Sequence, residues 1–490
     1  MKTLSVLMLG LLSGSVGCAI ESTDATDTSD ASDPTESTDV SDLDEVVARH
    51  CNDHNRLPNN VPVHDATGVF TTVSSQGFID LDNEFFQDLG TNGRRCVSCH
   101  VPTAGWTITP HQLQRTFEQT DGGAFDDGFG LGAVFRTNDG ANSPRADVST
   151  KAKRRQAYSM LLNRGLVRVG LPVPANAEFD LIAVDDPYHF ASAAELSLFR
   201  RPLPTTNLKF DSTVMWDGRQ VVPGQTVPQE FTTQASDAVV GHAQGRPLTT
   251  AQRQSIVQFE TSLVSAQVYD RHAKRLNDRG ARGGADEILG ETFYVGINDN
   301  FGDSHTGAAF NPIVFNLFDR WTQVNGEAAE ARRAVARGQA LFNTKPIAIS
   351  GVSGINDEAV FGRPTTLVGT CSTCHDSPNG GSHSIVAPLD LGLTDASRRT
   401  ADMPLYTLRN KTTGEIKRVT DLGRAAVDGK WSHISRFKGP MLRNLAPRAP
   451  YFHNGFAADL DAVVDFYNTR FNIGFTAREK ADMVAFLRSL

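Results

Sequence analysis

Two copies of one five-residue pattern constrain this chain more than anything else in it. They are Cys96-Val97-Ser98-Cys99-His100 and Cys371-Ser372-Thr373-Cys374-His375. CxxCH is the attachment pattern of c-type haem. Two thiols three residues apart on one turn reach the two vinyl groups on one porphyrin edge, and the adjacent histidine offers its imidazole to the iron. A zinc site would need further Cys or His ligands at finger or ribbon spacing, and neither copy has them. A redox CxxC followed by a chance histidine is the other plain reading, and the repetition argues against it. The pattern predicts two covalently bound haems, one on Cys96, Cys99 and His100 and one on Cys371, Cys374 and His375. His100 and His375 are then the iron ligands. With Cys18 removed or lipidated, Cys51 is left over and reads as an idle thiol.

The N-terminus reads as an address. Lys2 precedes an apolar stretch from Leu4 to Leu12 that is too short to span a bilayer, and small residues then lead to Cys18. A small residue before a cysteine resembles a lipoprotein signal, although Ser15 stands where leucine is usual. Residues 1–18 are therefore expected to be a signal peptide that directs export to the periplasm or cell envelope of a bacterium. Lipidation at Cys18 would add an anchor, for example to the outer membrane. Residues 19–45 hold Ser, Thr, Asp and Glu with almost nothing to bury, and are expected to be a disordered tether. The net charge of −9 resides there: residues 21–45 carry ten acids and no base, and residues 46–490 are formally neutral. No basic field speaks for nucleic acid.

Internal repetition divides the rest. Leu248–Leu263 aligns without gaps on Phe475–Leu490, matching Thr249 with Thr476, Val257 with Val484, Phe259 with Phe486 and Leu263 with Leu490. Each copy opens with a T-x-x-E/Q capping box and continues with apolar residues at helical spacing. A further helix is predicted from Glu327 to Phe342. Between haem motif and closing helix, Trp216-Asp217-Gly218 echoes His453-Asn454-Gly455, with Trp216 opposite His453. Strand signals are sparse and short. The expectation is an all-α fold of two cytochrome c-type domains with long loops, spanning 46–280 and 327–490, joined by a connection or insert at 281–326. No motif is legible between His100 and Arg201.

The two CxxCH segments, Met215-Trp216-Asp217-Gly218-Arg219 and the stretch Phe437 to Gly455 resemble the bacterial dihaem cytochrome c peroxidase and MauG family. The likeness covers the haem segments, residues 68–100 and 327–490, and the stretch 199–270. It implies a periplasmic oxidoreductase in which the first haem reduces hydrogen peroxide and the second relays electrons. The donor would be a small periplasmic protein such as a cytochrome c or cupredoxin. By position Trp216 is the bridge between the haems, with a core tryptophan as the alternative. Gln234 matches the family's active-site glutamine.

Several positions depart from the family. Its acid–base glutamate falls on Gln244, an amide that exchanges no proton near neutral pH. His242, two residues away, is a substitute, with a solvent-facing histidine as the alternative. The family's calcium ligands map to Pro202, Arg448 and Pro450, which keeps carbonyls but replaces a threonine with arginine, and leaves calcium open. The distal methionine of the second haem falls on Tyr467, where MauG also carries tyrosine, while Met403, Met441 and Met483 are alternative ligands. His111 is a weaker candidate as distal ligand of the first haem. An electron carrier without catalysis, a MauG-like oxidase and a rubber-oxygenase-like enzyme are the competing functions.

Overall fold

The computed structural model describes residues 40–52, 54–123 and 129–490. The expected signal peptide with Cys18 and most of the expected tether lie outside the described residues. The end of the tether does not: helix α1 (Leu43–His50) starts inside it, capped by the Asp42 side chain. Cys51, just after α1, is disulfide-bonded, which overturns the expectation of an idle thiol.

The principal helices that follow are α2 (Pro110–Gln119), α3 (Val227–Gly241), α4 (Thr250–Ser262), α5 (Ala329–Thr344), α6 (Leu460–Arg470) and α7 (Ala477–Arg488). The closing helices α4 and α7 each carry the reciprocal capping box, Thr249 with Gln252 and Thr476 with Glu479. Two unsatisfied backbone donors are thereby met at each start, which fixes where the helix begins.

The fold is mixed α and β, with 32% helix and 15% strand, and not all-α. A four-stranded antiparallel sheet runs in the order β1 (Val63–Asp65), β2 (Gly68–Ser74), β6 (Leu263–Asp270), β7 (Lys274–Arg275). Between β2 and β6 in sequence come β3 (Val167–Leu171), β4 (Phe179–Asp185) and β5 (Leu196–Arg200). β3 pairs with β5, while β4 pairs with β8 (Leu405–Asn410), which also pairs with β9 (Ile416–Val419). The sequence hides these strands for a physical reason. All residues of β2 and of β5 are buried, so neither shows the apolar–polar alternation that betrays a half-buried strand. Their partners also lie far away in the chain. The stretch 101–198 that carries no motif supplies α2 and β3 to β4.

Each half has its own core. Phe259 of α4 packs against Phe85 and Phe86 at ring-centroid distances of 5.2 and 5.6 Å, and Phe85 lies 6.4 Å from the His100 ring. Phe486 of α7 packs against Phe342 at 5.7 Å, and Phe342 lies 6.2 Å from His375. In each half an aromatic pair thus backs the haem-motif histidine, and loss of either closing-helix phenylalanine should cost about 3–5 kcal/mol. Val314, Phe315, Leu317, Phe318 and Trp321, from the stretch read as a connection, are buried in the second core.

Candidate functional site: two motif cavities sharing one tryptophan

Both motifs fold as the same short turn. His100 N–H and Cys99 N–H donate to Cys96 O at 3.0 and 3.1 Å, and His375 and Cys374 repeat this on Cys371 O at 3.2 and 3.3 Å. The four cysteines are free. Burial raises all four thiols, Cys99 to about 11 and Cys371 and Cys374 to about 12, so they are neutral. His375 Nδ1 lies 2.7 Å from Gly381 O and His100 Nδ1 lies 3.4 Å from Trp106 O. A carbonyl only accepts, so Nδ1 carries the proton and Nε2 is left with its lone pair for a metal. Burial pushes both imidazoles down to about 4, which keeps them neutral.

Each turn opens onto a cavity that leaves about 190 Å³ for the centres of water-sized molecules. Neutral paired thiols beside a histidine with a free Nε2, set in an apolar hollow, fit a c-type haem in each half.

The first cavity brings together His100, Trp216, Gln234 and His242, with Gln234 contributed by α3 and His242 by its C-cap. Gln244 is not among the residues lining it and is exposed, with a left-handed backbone of φ 54°. His111 is also elsewhere, exposed on α2 and bordering a different hollow with Arg115 and Asp42. The second cavity takes Tyr467 from α6 and Met483 from α7, beside Cys371, Cys374 and His375. Burial first, and the two thiols second, raise the Tyr467 phenol. Met441 and Met403 do not line this cavity. The second cavity also contains His453, which is buried, stacks on Phe437 at 3.9 Å and leaves Nε2 without a partner.

Trp216 lines both cavities. Its indole N–H donates to Arg201 O at 2.8 Å, and its ring lies 6.2 Å from that of His453 in an edge-on contact. The next residue anchors it: Asp217 is buried and accepts from Arg200 Nη1 at 2.5 Å and from Arg219 Nη1 at 3.1 Å. Arg200 in turn grips Asp421 in the second half with two bonds of 2.8 and 2.9 Å.

Pro202, Arg448 and Pro450 converge on a smaller hollow that also includes Trp216 and Arg201. They do not fit calcium. The Arg448 guanidinium is buried and donates to Gly105 O, Arg443 O and Thr206 Oγ1, and Arg201 donates to Arg164 O, Ile108 O and Arg448 O. Among the described residues the only carboxylate on the wall, Asp211, is already bound to Lys438 at 2.9 Å. A divalent cation would face two guanidiniums, and carboxylate oxygen is what it needs. Among the described residues no group of three or more His, Cys, Asp and Glu converges as a metal site.

Arg94, Asp139 and Glu260 are among the cavity residues that sequence reasoning missed. Glu260 was legible, because the gapless repeat sets it against Leu487, which lines the second cavity. Asp139 lies in the stretch without a motif.

Comparison with characterised proteins agrees with this geometry. The chain is 32% identical to cytochrome-c peroxidase IdrP2 of Denitromonas iodatirespirans over 132 residues, 25% of this chain and 36% of that protein. It is 28% identical to cytochrome-c peroxidase IdrP1 of Pseudomonas sp. (strain SCT) over 193 residues, 35% of this chain and 43% of that protein. The resemblance to bacterial cytochrome c peroxidases is thereby borne out. The chain spans well under half the length of these cytochrome c peroxidases. No family model matches it. Cytochrome c peroxidase relatives imply a haem cofactor.

Proposed function

We propose that this chain is a dihaem c-type peroxidase, carrying one haem on Cys96, Cys99 and His100 and a second on Cys371, Cys374 and His375. The observation that carries the reading is Trp216, whose indole lies in the walls of both cavities. A carrier with two closed haems has no need of such a residue, or of Gln234 and His242 in a cavity wall. When bound, the first haem supplies the iron that polarises peroxide, and the second stores and relays electrons. The residues do the rest. His100 and His375 hold the iron, Gln234 offers hydrogen bonds to peroxide, and Trp216 passes charge between the cavities. Hydrogen peroxide is the substrate, and a small periplasmic cytochrome c or cupredoxin is the donor. Export to the periplasm belongs to the same reading. Among the described residues no helix is long and apolar enough to cross a membrane.

Peroxide titration of the protein after stepwise reduction tests this directly. The reading expects a spectral change at one haem and turnover with a reduced donor. Absence of any peroxide reaction would favour an electron carrier.

Tyr467 favours a second reading, MauG-like oxidation of an organic target. A phenolate on the second iron stabilises its oxidised forms relative to ferrous iron. Met483, on the same cavity wall, would instead favour the reduced form and the peroxidase.

A further inference from the structure

The geometry points to His242, aligned by Asp139 and Arg94, as the proton-transfer group of the first cavity, in the role that Gln244 cannot fill. This rests on the peroxidase reading above and deepens it.

Three contacts build the arrangement. His242 caps the C-terminal end of α3, where its N–H donates to Ala238 O at 2.8 Å. Its Nδ1–H donates to Asp139 Oδ2. Arg94, 4% exposed, donates through Nη1 both to Asp139 Oδ2 at 3.2 Å and to the His242 carbonyl at 3.3 Å. The rest of its guanidinium is spent on Ala133 O and Val134 O. Arg94 stands two residues before Cys96, so the segment that carries the haem motif also sets the position of His242. Asp139 has a left-handed backbone of φ 69°, a conformation aspartate tolerates, and its carbonyl is held by Arg168 N–H at 2.8 Å.

The chemistry follows from which nitrogen is committed. Burial alone would raise the Asp139 carboxyl, but the His242 bond and the charges of His242, Arg94 and Arg168 bring it below its ordinary value. It stays anionic, so Nδ1 keeps its proton and Nε2 is the nitrogen that exchanges one. His242 lines the cavity while its side chain stays 44% exposed, which connects it to solvent. The other titratable groups around this pair and its cavity are Arg95, Arg136, Arg168, Arg200, Arg201, Asp211, Arg219, the buried His100 and Glu260, and the Cys96 and Cys99 thiols. Reduction of hydrogen peroxide breaks the O–O bond and consumes two electrons and two protons to give two waters. Nε2 takes the proton of one peroxide oxygen and returns it to the other, which leaves as the first water. The two electrons come from the reduced donor and the two further protons from solvent, and His242 would pass those protons to the second oxygen, which becomes the second water.

The test uses haem-loaded His242→Gln and Asp139→Asn proteins, each checked for haem content and Tm. Cyanide provides a readout without turnover: hydrogen cyanide must lose its proton to bind ferric iron, so a base in the cavity speeds its capture. His242→Gln should slow cyanide capture and the peroxide reaction about 10²-fold each, with an unchanged resting spectrum. Asp139→Asn should slow both about tenfold with haem content and Tm unchanged, because the imidazole is no longer held in its orientation and tautomer. Unchanged rates in His242→Gln, with a parent that reacts, would overturn this role and leave the peroxidase reading standing. A parent inert to peroxide would overturn that reading instead, while cyanide capture still judges His242. Loss of a low-spin signal in His242→Gln would make His242 an iron ligand and overturn the inference. If Asp139→Asn lowers Tm and leaves cyanide capture unchanged, Asp139 only supports the fold.

Discussion

The two cavities start from the same CxxCH turn and are closed by helices with the same sequence pattern, yet their walls diverge. Arg94, Arg95, Asp139, Arg219, His242 and Glu260 reach the first. Among the described residues Lys438, tied to Asp211, is the only Asp, Glu, Lys or Arg on the second, which is otherwise built largely from Ile, Val, Leu, Phe and Tyr. A polar wall can bind and deprotonate a small oxidant. An apolar wall excludes water and suits a centre that only gains and loses electrons. On the proposed reading, one repeated motif turn would provide a place for chemistry and a place for charge storage, and the walls around it make the difference.

The largest effect should come from deleting one motif at a time. Cys96→Ala with Cys99→Ala should halve the covalent haem measured as pyridine haemochrome and lower the peroxide reaction by more than about 10³-fold. The matching change at Cys371 and Cys374 should also halve the haem, but leave cyanide capture by the first intact. Equal losses of cyanide capture would break the division of labour. A smaller effect is expected at the shared wall. Trp216→Phe should slow steady turnover about ten- to a hundredfold with both haems retained, and an unchanged rate would remove the bridge.

A spectral change comes next. If Tyr467 ligates the second iron, Tyr467→Phe should turn that haem high-spin, while Met483→Leu leaves it alone. The reverse pattern would assign Met483. The smallest effect concerns Glu260. Burial pushes its carboxyl up to about 8 from an ordinary 4.5. Between those values the folded protein holds a proton that the unfolded chain has released, so stability falls as pH rises through the window. Glu260→Leu, which copies Leu487, should be more stable than the parent by on the order of 2–4 kcal/mol at pH 8, and by much less at pH 5. A Tm difference that does not grow with pH would show that Glu260 is not ionising within the cavity.

What the sequence disclosed follows from how local each signal is. The CxxCH turns and both closing helices are written in a few consecutive residues, and Thr249, Thr476 and the paired Phe259 and Phe486 suffice to place the helices. Trp216, Gln234 and His242 were found through the resemblance, and they meet in one cavity. Gln244 and His111 do not join them: sequence proximity fixed neither the left-handed turn that carries Gln244 away nor the face of α2 on which His111 sits. The sheets stayed hidden because fully buried strands such as β2 lack alternation. Asp139 and Arg94 matter only through a contact that no spacing rule reports.

The pairing of β4 with β8 has a consequence for how the molecule is made. Arg409 and Asp180, opposed across it, are separated by 229 residues. Contacts of such separation form late, because a large loop must close before they yield anything. A chain cut between the halves would leave β8 with an unpaired edge, ready to recruit any other strand and aggregate. The halves therefore share one fate in assembly, and neither is a module that could be borrowed, shuffled or expressed without the other.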